Sequence, residues 1–198
     1  PGGARCVGVN VAARAAAAAS APATSAAALL AQEQAALVEH HVATARFDSG
    51  PTEVSVSRLL APGAGAAAAE PQGYVVRVSV PSRGAFGGDG DPKGGVSPAD
   101  GQEVLLHWGV DDWAAPGSKL ASSASPGTRD VGDAAQTPFA VDAADPARAC
   151  VELRFAADEA PSRLVFVVKL SGPGGERWVN NGGPGFPAQL KTPSVANL

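Results

Sequence analysis

The run Tyr74-Val75-Val76-Arg77-Val78-Ser79-Val80 constrains this chain more than any other feature. Its period of two places Tyr74, Val76, Val78 and Val80 on one face and Arg77 and Ser79 on the other, the signature of a half-buried strand. The same alternation recurs over 42–47, 53–59, 103–108, 150–155 and 164–170. A further pair of segments, Arg177-Trp178-Val179 and Phe186 to Leu190, reads as a hairpin around the Asn180-Asn181-Gly182 turn. Turn residues such as Asp48-Ser49-Gly50-Pro51 separate the runs. With 24 Gly and 17 Pro among 198 residues, turns and short strands are favoured over long helices. About eight strands of this kind predict an all-β chain folded as an antiparallel β-sandwich, Ig-like in architecture. The Cys…Trp…Cys spacing of antibody domains is missing.

The N-terminal part departs from this pattern. Residues 1–25 hold Arg5 and Arg14, many Ala and Ser, and no acidic residue before Glu33. That composition fits either an organellar transit-like segment or a disordered Ala-rich tail. The run SAAALLAQEQAALVEH, residues 25–40, is made mostly of strong helix formers, with Ser25 placed to cap the start, and predicts one short helix over 26–41. The expected organisation is therefore a tail over 1–25, a helix over 26–41, a sandwich over 42–191 and a second tail over 192–198. The run APGAGAAAAEPQ, residues 81–101 and residues 111–147 are expected to be loops or insertions. Methionine is absent and the chain starts with Pro, which reads as a fragment or processed product. Cys6 and Cys150 lie far apart with no disulfide framework around them, and two free thiols are expected.

The net charge of −4 argues against a nucleic-acid partner. No apolar run approaches the ~18 residues of a membrane span. There is no P-loop, dinucleotide fingerprint or zinc-type Cys/His spacing, and no cofactor is expected in this segment. His40 and His41 stand at the end of the expected helix and read as solvated. Gly172-Pro173-Gly174-Gly175 reads as a turn rather than a phosphate cradle, because no helix follows it. His107 has no Ser or Cys nucleophile motif to accompany it.

The scarce aromatics carry the functional signal. They make up only 5% of the residues, yet all three Trp fall in the C-terminal half beside polar donors. A sugar presents apolar C–H faces to an indole and hydroxyl edges to Asn, Lys and His. Trp113 and Trp178 occupy turn-like positions suited to surface platforms. Trp108 continues the Val104/Leu106 face and looks core-like, with His107 on the opposite face. Lys169 and Asn181 are the further polar candidates.

These residues also carry a family resemblance. Leu106-His107-Trp108-Gly109-Val110, then Trp113, Pro116, Pro126-Gly127-Thr128, Thr137-Pro138-Phe139, Phe166 and the step from Trp178 to Phe186 resemble the family 45 carbohydrate-binding module. That module occurs at the N-terminal end of α-glucan, water dikinases and of plastidial α-amylases. The region of about 42–110 resembles the Ig-like N-terminal domain of the dikinases. The resemblance spans roughly 42–191. It implies a plastid protein with a non-catalytic starch-binding module, belonging to a dikinase that phosphorylates starch or to an amylase. Its implied binding residues are Trp113 and Trp178, then Trp108 with His107. Three residues depart from the family's basic pattern: Asn180 stands two residues after Trp178, where Lys is usual, and Ala135 and Gln136 precede the Thr-Pro-Phe motif, where Lys or Arg is frequent. The other reading of the residues is an Ig-like structural or docking domain whose Trp are core.

Overall fold

In a computed structural model, residues 37–47, 52–63, 69–82, 103–172, 175–183 and 185–191 are described. Among the described residues, eleven strands and one helix follow in order: β1 (Val38–Phe47), β2 (Thr52–Leu60), β3 (Gly73–Pro81), β4 (Glu103–Val110), α1 (Gly117–Ala124), β5 (Arg129–Asp130), β6 (Ala135–Pro138), β7 (Ala140–Val141), β8 (Arg148–Ala156), β9 (Arg163–Gly172), β10 (Gly175–Val179) and β11 (Phe186–Gln189). They form two antiparallel sheets. The first has the order β1-β2-β3-β8-β7, and the second β10-β9-β4-β6-β5, with β11 also on β9. The expected all-β antiparallel sandwich is the fold observed.

Alternation explains the core. Val54 and Val56 of β2, Val76 and Val78 of β3 and Val151, Leu153 and Phe155 of β8 face Leu106 and Trp108 of β4, Phe166 of β9 and Phe186 of β11. Trp108 meets Phe155 edge-on at 6.1 Å, and Phe47 meets Phe186 edge-on at 4.9 Å, so aromatic contacts join the two sheets. Tyr74, Val76, Val78 and Val80 are all buried, as their spacing predicts.

Several expectations change. The helix expected over 26–41 falls mainly outside the described residues, but Val38 to His41 belong to β1. There each residue from Val38 to His41 pairs with β2, and this pairing outweighs the local helix preference. The tails at 1–25 and 192–198 lie outside the described residues. The stretch 111–147, expected as loop, contains α1 and the short strands β5, β6 and β7. The last two strands do not pair with each other. Trp178 pairs with Lys169 and Phe186 with Phe166, so β10 and β11 lie end to end along one edge of β9. Cys150, expected as a free thiol, is disulfide-bonded, with a partner outside the described residues. It pairs with Ser79 on the outer side of the first sheet, away from the core face that Val151 occupies.

Candidate functional site

The outer face of the second sheet gathers the polar and aromatic residues. In β4 the pleat sends Leu106 and Trp108 inward and His107 outward. Register then sets the neighbours. His107 lies opposite Gln136 of β6 and Val167 of β9, while Lys169 of β9 lies opposite Leu105 on one side and Trp178 on the other. The His107 ring is 5.1 Å from the Trp178 ring at 81°, and 6.1 Å from the Trp113 ring at 34°. Lys169 Nζ sits 5.1 Å from the centre of the Trp178 ring and pairs with Glu176. Two indoles therefore lie beside one imidazole, with the largely buried Lys169 ammonium against Trp178.

The surroundings of His107 favour its neutral form. Burial pushes its pKa below the ordinary value, the charge on Lys169 pushes the same way, and Asp133 opposes them. Gln136 Nε2 donates to Nδ1 at 3.2 Å, which places the ring proton on Nε2. That leaves one N–H donor beside the two indoles.

Trp113 arrives by a different route. Paired backbone bonds of 2.9 Å between Val110 and Ala114 close a three-residue loop, Asp111-Asp112-Trp113. Asp111 and Trp113 adopt φ of 51° and 66°, a region that costs an L-residue about 1–2 kcal/mol. The loop folds Trp113 back over the sheet. A Cβ at Gly109 would lie 3.2 Å from Trp113 Cε3, and one at Gly185 would lie 2.9 Å from Trp113 Cζ2. Two positions without side chains thus form a seat for the indole, beside Val165.

Of the residues singled out from sequence, the fold brings together Trp113, Trp178, His107 and Lys169. Trp108 is a correction: it is 0% exposed, donates its indole N–H to Thr137 Oγ1 at 3.0 Å, and offers no face to a ligand. The alternation that exposes His107 is what buries Trp108. Asn181 is exposed in the connection between β10 and β11, where the Asn180 carboxamide accepts the Gly182 N–H at 3.1 Å. Gln136 joins the site unforeseen, because only its register against His107 gives it a role. His40 and His41 lie in β1 of the other sheet. Among the described residues, no three His, Cys, Asp or Glu cluster as metal ligands, and no helix is long and apolar enough to cross a membrane.

Comparison with curated proteins and with solved structures yields no match. A family model does match. The Ig-like segment expected at about 42–110 overlaps the matched region only at its C-terminal end. The motifs resembling the family 45 module lie inside the matched region instead. Residues 98–190, which span β4 to β11 and hold every member of the aromatic cluster, match the family described as the alpha-glucan water dikinase 1 Ig-like N-terminal domain.

Proposed function

We propose that the outer face of the second sheet is a non-catalytic binding surface for α-1,4-glucan, the polymer of starch, in a plastid protein of the dikinase type. The observation that carries this reading is the pair of indoles that lie beside the His107 ring. Trp178 is 45% exposed on an edge strand, and Trp113 is half-buried beside the same imidazole. Indole faces stack on the C–H faces of glucose units, while His107 Nε2–H and Lys169 Nζ donate to hydroxyls at the ring edges. An open aromatic face of this kind buries little area, so affinity is weak and rises with chain length. The site has a donor set for sugars, and on this reading any phosphoryl transfer to the glucan belongs to other parts of such a protein.

The test is retention of the whole chain on insoluble starch granules, competed with soluble maltoheptaose. Competed retention that falls in both Trp178→Ala and Trp113→Ala is expected. Undiminished retention by both folded variants sinks the reading.

One observation favours a second reading, an Ig-like structural or docking domain without glycan affinity. Trp113 is half-buried, and its ring lies where a Cβ added at Gly109 or Gly185 would come within 3.2 or 2.9 Å of it. On that reading Trp113→Ala lowers stability while the unaltered chain shows no competed retention.

A further inference from the structure

Arg163 opens β9 and has no place in the aromatic cluster, yet its bonds converge on the loop that presents Trp113. The Asp111 N–H donates to the Arg163 carbonyl at 2.8 Å, and the Arg163 N–H donates to the Asp111 carboxylate at 3.3 Å. The guanidinium forks onto the Asp111 carbonyl, from Nε at 3.2 Å and Nη2 at 3.0 Å. Nη2 donates to the Asp112 carboxylate as well. These bonds seize the loop at Asp111, the first of its two left-handed residues, two positions before Trp113. Left-handed conformations of non-glycine residues persist only where the surroundings over-determine them. The planar fork of Arg suits this task in a way a Lys ammonium does not.

The exposure of the clamp separates its role from fold stability. The Arg163 side chain is 38% exposed and that of Asp112 is 93% exposed. Ion pairs this open to water add little to folding. Their effect is therefore on where the loop points.

We propose that Arg163 is the positioning residue of the glucan-binding face. It locks Asp111 and Asp112 so that the Trp113 indole stays in its seat over Gly109 and Gly185, beside His107. The ligand in this statement rests on the glucan reading given above; the clamp on Trp113 does not.

The test uses the whole chain and two readouts. Granule retention competed by maltoheptaose is measured for Arg163→Ala and Arg163→Lys, each alone and combined with Trp113→Ala. Iodide quenching of fluorescence is measured in a Trp178→Phe background, where Trp113 is the one partly exposed indole because Trp108 is fully buried. Arg163→Ala is expected to unfold cooperatively, to gain iodide quenching, and to weaken retention about fivefold or more, the scale of coupling between neighbouring side chains. In the Trp113→Ala background it should change retention no further, since it acts through that ring. Arg163→Lys keeps the ion pair without the fork and should fall in between; it carries the test if the Ala variant does not fold. Retention unchanged by Arg163→Ala, or a loss that simply adds to that of Trp113→Ala, overturns the proposal. If the unaltered chain is not retained, the glucan reading fails, and quenching unchanged by Arg163→Ala then overturns the clamp itself.

Discussion

The three tryptophans occupy three environments, and substitution should separate them. Trp108 is enclosed by both sheets, so Trp108→Ala should cost about 3–5 kcal/mol, read from urea unfolding. Trp178 stands on an edge strand with nearly half its surface in water, so Trp178→Ala should stay within about 1 kcal/mol of the parent while losing starch retention. Gly185 is as demanding as any side chain. Its φ is 111°, and an added Cβ would lie 2.8 Å from the Phe166 carbonyl oxygen. Gly185→Ala should therefore destabilise by about 1–3 kcal/mol and unseat Trp113, seen as a changed emission spectrum. His107 sets a pH dependence. Burial lowers its native pKa below the value of about 6.5 that it has when unfolded. The unfolded chain thus binds the extra proton first as pH falls. The stability held by neutral His107 is complete above that unfolded value and is lost as pH drops through the lowered native one. Unfolding at pH 7 and pH 5 should show a decline that His107→Gln reduces.

Among the elements, β1 and α1 show how tertiary contacts decide what local preference leaves open. The β1 strand lies at the edge of the first sheet, with Val38 and Val42 exposed and a register shift between His41 and Ala43. Such an irregularity on an edge discourages pairing with another chain. What ties β1 to the sheet, beyond its ladder, is Arg77 of β3. Its guanidinium binds the Glu39 carboxylate of β1 with both terminal nitrogens and gives Nε to Glu152 of β8 at 2.7 Å. Arg154 binds the other oxygen of Glu152. The hydrogen bond from Arg77 holds the Glu39 carboxyl below its ordinary pKa against the opposing effect of burial. Arg77→Ala leaves two half-buried carboxylates short of a partner and should cost about 2–3 kcal/mol, with faster amide exchange along β1. The eight-residue α1 is too short to persist alone, and burial of Ala121 and Ala124 against the core holds it. Its sequence lies among prolines at 116, 126 and 138, which is why it reads as loop.

The whole molecule is larger than its matched part. Residues 98–190 contain β4 to β11, but the first sheet also needs β1, β2 and β3. β8 takes its long ladder, Gly73↔Ala156 to Pro81↔Arg148, from β3. Val54, Val56, Val76 and Val78 also supply one wall of the core. A fragment limited to 98–190 should therefore lack a cooperative thermal transition that the full chain shows, as measured by circular dichroism. By itself the sequence determined the class of fold, because strand alternation and turn residues are local and survive in any chain with this pattern. It also determined which side of β4 Trp108 and His107 occupy, since that depends only on the pleat. Tertiary structure alone decided which strands are neighbours. Register between β4, β6, β9 and β10 brought Gln136, His107, Lys169 and Trp178 together from distant segments, and the Arg163 clamp swung Trp113 over Gly109 and Gly185. Those choices depend on cross-strand pairing and backbone approach between residues far apart in the chain, for which no local pattern is a signal.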